Sequence, residues 1–116
     1  MRLAVIIAAL LAAACASTHT APAQSYRMKG AADVINITGK IDREDRVLAV
    51  NHILTVSLNQ KPALTGSIGY GTGDLSGTWN GKPLMALCNM QGDYLSHYAI
   101  HCRIVIDGEF ATTLTF

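Results

Sequence analysis

Charge is scarce in this chain, and neither sign dominates. Asp, Glu, Lys and Arg make up 15 % of 116 residues, and the formal net charge is +1. A chain so close to neutral carries no electrostatic footprint for nucleic acid, and no basic run occurs. An apolar run of membrane length is missing too. The longest, Leu3 to Ala14, falls well short of the roughly 20 residues a spanning helix needs. No G-x-S-x-G nucleophile elbow occurs. The glycine-rich stretch GSIGYGTGDLSG (66–77) lacks the Lys-Ser/Thr ending of a phosphate loop, and strand-like sequence follows where a helix is required. Bulges and a flexible connection between hairpins account for those glycines. Low-complexity sequence is absent, and the β-branched content argues against disorder. The length allows one domain.

Cysteine is also sparse, with three in all, and their settings differ. Cys15 closes the segment MRLAVIIAALLAAAC, one Arg followed by twelve apolar residues, which matches the apolar region of an export signal. Leu11-Ala12-Ala13-Ala14-Cys15 resembles the lipobox of bacterial lipoproteins, with Ala12 where Leu is usual. That resemblance implies cleavage before Cys15 and its lipidation. A second reading places cleavage after Ala21-Pro22-Ala23, before Gln24, by the small-x-small rule. Either leaves Cys88 and Cys102 as a pair, so parity excludes only an uncleaved chain. The small, polar, Pro-containing run Ala16 to Gln24 suits a tether behind an anchor and favours the lipoprotein. By the same resemblance, Ala16 and Ser17 carry no acidic retention signal, which implies the outer membrane. Loss of Arg2 with the leader makes acidic and basic residues equal in number. The expected organisation is a signal peptide over 1–14, a lipidated Cys15 and tether over 15–32, and a β domain over 33–116.

Within 33–116 the apolar residues recur with a period of two, the signature of half-buried strands. Ile35, Ile37 and Ile41 share one face. Leu48, Val50, Leu54, Val56 and Leu58 form a stripe interrupted by His52, which reads as a core or rim histidine. Between these runs, Asp42-Arg43-Glu44-Asp45 reads as a charged turn. Three turns follow at Asn59-Gln60, Asn80-Gly81 and Asp107-Gly108, where positive φ is tolerated. The first two set Ser57 opposite Pro62 and Thr78 opposite Pro83, so each proline calls for an edge or a bulge beside it. For the last hairpin, a three-residue loop Ile106-Asp107-Gly108 pairs Ile104 with Phe110 and Cys102 with Thr112. That register gathers Phe110, Leu114 and Phe116 on the face of Ile100 and Ile104. The predicted fold is all-β, a small antiparallel sandwich or open barrel of six to seven strands built from hairpins.

Cys88 shares a face with Leu84, Ala86 and Met90, and Cys102 with Ile100 and Ile104, so both point inward and a disulfide is expected. His97 and His101 lie about 13 Å apart on a strand, too far to chelate one ion, and no metal or cofactor is implied. Candidate contact residues are Trp79 beside its turn, and Asn89, Gln91, Asp93 and Tyr94 in the loop that the disulfide closes. Aromatics beside amides suit a protein or sugar partner. With no catalytic constellation in view, the expected function is non-enzymatic. It is that of a lipid-anchored envelope component that binds a protein or glycan partner or helps assembly. The alternatives are a secreted or periplasmic inhibitor or immunity protein, and a carbohydrate-binding module.

Overall fold

The computed structural model describes residues 17–46, 49–69, 72–93 and 97–116; the side chains at 45, 46, 49, 50, 93, 97 and 98 lie outside that description. Among the described residues the chain forms nine strands: β1 (Ser17–Thr20), β2 (Gln24–Tyr26), β3 (Ile35–Arg46), β4 (Ala49–Leu58), β5 (Lys61–Gly69), β6 (Gly73–Trp79), β7 (Lys82–Asp93), β8 (His97–Ile106) and β9 (Glu109–Thr115). They make two antiparallel sheets, ordered β1-β3-β4-β5 with β2 also on β3, and β6-β7-β8-β9. The architecture is an all-β sandwich of hairpins. Its interior is the set of inward rows that the alternation marks out: Ile35, Ile37 and Ile41; Leu54, Val56 and Leu58; Leu84, Ala86 and Cys88; Ile100, Cys102, Ile104 and Ile106.

Three two-residue turns build the hairpins. Both central residues have positive φ in each: Asn59 and Gln60 at 51° and 68°, Asn80 and Gly81 at 49° and 74°, Asp107 and Gly108 at 51° and 77°. Turns of that hand match the right-handed twist of the strands they join. Pro83 pairs with Thr78 as its spacing demands. Pairing of β7 with β8 begins one residue later, at Leu84 and Ile106. The Pro83 carbonyl accepts a hydrogen bond from Asp107 N–H at 2.8 Å, and its missing donor is not needed.

The last hairpin departs from expectation. Its loop has two residues, not three: Ile106 pairs with Glu109 and Val105 with Phe110, and then the register shifts so that Ile104 pairs with Thr112 and Cys102 with Leu114. Ala111 is the extra residue of a β-bulge. It turns Leu114 and Phe116 inward and leaves Phe110 outside, 49 % exposed. β5 carries the same device. Ser57 pairs with Pro62 and Val56 with Leu64, so Ala63 is extra and Leu64 and Ile68 turn inward.

Three further readings are corrected. Residues 17–20 and 24–26, assigned to a tether, run antiparallel to β3 and raise the strand count above six or seven. They cover an edge that would otherwise present unpaired backbone groups; Thr18 Oγ1 donates to Asp42 at 2.6 Å and Ala21 N–H to the Gly39 carbonyl at 3.1 Å. Asp42 to Asp45 is strand, not turn, since β3 continues to Arg46. Two of the glycines of 66–77, Gly66 and Gly77, serve close approach. A Cβ at Gly77 would lie 2.8 Å from the Ala63 carbonyl oxygen, and one at Gly66 would lie 2.6 Å from Leu75 Cδ2. Gly77 is the complement of the β5 bulge, whose displaced carbonyl needs a neighbour without a side chain.

Cys88 and Cys102 face each other across β7 and β8 with Cα atoms 4.0 Å apart, and form a disulfide. That spacing belongs to the narrow, non-hydrogen-bonded kind of pair.

Two outcomes follow. Gly77→Ala is expected to cost about 1–3 kcal/mol in urea unfolding, the usual range for overpacking, whereas Gly69→Ala, with open space around the new methyl, is expected to be near neutral. Replacing both cysteines by Ala is expected to lower unfolding free energy by about 3 kcal/mol, the chain-entropy value for a loop of this length.

Candidate functional site

The two sheets differ on their outer faces. On the first, the outward residues of β3 to β5 are mostly polar, with Ile53 among them between Asp42 and Ser67, and several pair with one another. Lys40 Nζ lies 3.8 Å from Asp42, which also accepts the Thr18 hydroxyl. Ser67 donates to Asn51. Such a face is already satisfied by itself.

The second sheet shows an apolar row. Register places Met85, Val105 and Phe110 side by side across β7, β8 and β9, with Leu87, Arg103 and Thr113 forming the next row. Met85 is 38 % exposed and Phe110 49 %. Above the Phe110 ring lies the Arg103 guanidinium, 5.1 Å from its centroid. A stacked Arg on a half-exposed ring is worth about 0.5–1 kcal/mol, enough to hold both groups in place and too little to hide either. Methionine, aromatic and arginine side chains are the types enriched in protein interfaces.

Of the residues singled out from sequence, Asn89 and Gln91 are exposed and continue the outward row of β7 beyond Met85 and Leu87, as its polar rim. Trp79 is elsewhere. It sits half-buried against the core beside its turn, pairing with Lys82. Lys82 and Asn89 are seven positions apart on β7, about 23 Å at strand spacing, so Trp79 and the 89–93 segment do not form one site. Asp93 ends β7, with its side chain outside the description; Tyr94 and Cys15 lie outside the described residues. Cys88 and Cys102 are locked in the core. His101 is half-exposed, its Nδ1 3.1 Å from Thr115 Oγ1. Among the described residues no group of three or more His, Cys, Asp or Glu side chains could hold a metal ion.

The sequence does not mark the row Met85–Val105–Phe110, because the three-residue loop expected for the last hairpin turns Phe110 inward, and the structure has a two-residue loop. The signal was present in one form: a two-residue Asp-Gly turn throws Phe110 outward, beside Val105. What the sequence did not mark was the bulge that lets Leu114 return inward. At the turn end, Glu109 anchors the end of β2 and the segment after it. It accepts the Lys29 N–H at 3.2 and 3.3 Å and hydrogen-bonds the Tyr26 phenol, whose pKa is pushed up to about 12, first by that hydrogen bond.

The chain matches no family model, no characterised protein and no solved structure.

The register makes an asymmetric forecast. Phe110→Ser is expected to cost about 1 kcal/mol or less, as for a half-exposed side chain. Leu114→Ala, at a fully buried position, is expected to cost 2–5 kcal/mol, a range of about that size being usual for such cavities. Equal losses in denaturant unfolding would contradict the bulge.

Proposed function

We propose that this chain is an exported, non-enzymatic binding component of the bacterial envelope, anchored through a lipid on Cys15, that meets a protein partner through the outer face of the β6–β9 sheet. The observation that carries the reading is the row Met85–Val105–Phe110 under Arg103, an apolar strip with an exposed aromatic on the outer face of its sheet, continued by exposed Asn89 and Gln91. A strip of this kind costs solubility unless something covers it. The half-exposed ring with its stacked guanidinium is the type of anchor that dominates interface energetics.

Export is supported separately, by the apolar leader ending at Cys15 and by a buried disulfide of the sort that persists in oxidising compartments. The envelope assignment rests on the resemblance of 11–15 to a lipobox. An inhibitor or immunity role would act instead through the disulfide-closed stretch 89–97, of which residues 94–96 lie outside the described residues. A carbohydrate platform of Trp79 with Tyr94 is not favoured, since Trp79 packs into the turn end of the core.

The test uses the full chain expressed in a Gram-negative host. Its exported form is expected to begin at an acylated Cys15, read as intact mass; an unacylated start at Gln24 would replace anchoring by secretion. A photo-crosslinking residue at position 85 or 110 is expected to give one discrete protein adduct. The same residue at Thr65, exposed on β5, is expected to give none. Absence of adducts from 85 and 110, or the same adducts from 65, would remove the partner-binding face.

A further inference from the structure

The first strand begins close to the proposed anchor. Cys15 and Ser17 are two positions apart, so their Cα atoms lie within about 7 Å of each other even when the chain is fully extended. Ser17 is already fixed to the fold, since it opens β1 and pairs with Arg43. From there β1 runs along β3 to Thr20, opposite Lys40, and Ala21 N–H closes on the Gly39 carbonyl at 3.1 Å. All of β1, Ser-Thr-His-Thr, is exposed, and it carries no carboxylate.

A lipid on Cys15 therefore leaves the domain almost no slack. Only surfaces within reach of Ser17 can touch the bilayer, and two parts of the sandwich are beyond it. β1 belongs to the first sheet. The outer face of the second lies about 10 Å away, the spacing of packed sheets, and further by the length of its own side chains. The end with the tight turns is more distant still. Phe116 lies over Gly39 and is bonded to Ile100, which pairs with Met90. From Met90 to Met85 is five positions along β7, about 17 Å at strand spacing, in the direction that leads away from Ser17. Met85, Val105 and Phe110 form one row at that level.

We infer that the anchored chain meets the phospholipid surface at the β1 corner, with the exposed Ser17 and Thr20 at the headgroups, and that the Met85–Val105–Phe110 strip is held clear of the lipid. A long tether would let the strip lie down on the bilayer, where apolar and aromatic side chains flanked by a cation are readily accommodated. The pairing of Ser17 with Arg43 forbids it, and leaves the strip to a protein on the aqueous side. This orientation rests on the lipidation of Cys15 proposed above and says which way the partner face points.

The test is paramagnetic broadening of backbone amides in the acylated full chain, reconstituted in phosphatidylethanolamine–phosphatidylglycerol nanodiscs that contain a headgroup-nitroxide lipid. Amides of Thr18, His19 and Arg43 are expected to broaden at least tenfold more than those of Met85, Val105 and Phe110. The comparison uses the unsubstituted chain, so no variant has to fold. Comparable broadening at Met85 or Phe110 would put the strip on the lipid and overturn the inference. Absence of broadening at Thr18 and Arg43 would overturn it as well. An intact mass that starts at Gln24 without acyl groups removes the anchor and this orientation with it; an acylated chain with a broadened strip removes the orientation alone. Ten Gly-Ser residues inserted between Ala16 and Ser17 are expected to reduce broadening at Arg43 at least threefold, because a flexible linker lets the corner leave the surface. Undiminished broadening there would overturn the short link as its cause.

Discussion

Every long strand here buries one face, so a slip of one residue would exchange the core for solvent along its whole length. The tight turns alone would impose that slip twice. Carried on without a break, the Asn59-Gln60 hairpin would turn Ala63, Thr65 and Ser67 inward, and the Asp107-Gly108 hairpin would turn Ala111, Thr113 and Thr115 inward. Single-residue bulges at Ala63 and Ala111 correct both, so that Leu64 and Ile68, and Leu114 and Phe116, reach the interior. Both bulges fall on strands at the end of their sheet, where an extra residue disturbs only one partner.

Other features follow from those two insertions. The carbonyl displaced at Ala63 projects towards β6, and Gly77 is the residue that accommodates it. The residues before each bulge stay in the phase of the turn, which is why Phe110 is outside while Leu114, four positions on, is fully buried. The apolar row on the outer face is therefore a consequence of how the hairpin solves its register. The proposed partner face rests on the fact that the side chain left outside is an aromatic, with Val105 and Met85 already beside it.

Sequence alone revealed the strand faces well, since Ile35 to Ile41, Leu54 to Leu58 and Leu84 to Cys88 alternate cleanly and the turns carry residues that accept positive φ. It also revealed the cysteine pair, because both lie on inward parities. The bulge at Ala63 was legible through Pro62, which calls for an edge or a bulge beside it; the one at Ala111 was not, because an added alanine has no compositional mark and a longer loop brings Leu114 and Phe116 inward equally well on paper. The charged run Asp42 to Asp45 escaped for another reason. Four charged residues read as a turn, and only a partner strand reveals that Asp42 and Arg43 take opposite faces. Residues 17–26 were similar: a small, largely polar segment shows no alternation of its own, and its two short strands form along the edge that β3 offers, with Ala21 buried between them.

The same logic explains why polar groups collect inside one corner. β3 has twelve residues and β9 seven; β9 pairs with β8 as far as His101 and Thr115, and Phe116 lies over Gly39. Inward positions of β3 and β4 beyond Ile41 and Leu54 therefore pass out from under the last strand of the facing sheet. An isoleucine at 43 or a leucine at 52 would continue the alternation and close the corner with apolar contact, at no cost to the pairing pattern. The chain instead places a permanent cation and an imidazole at those two positions, side by side in register.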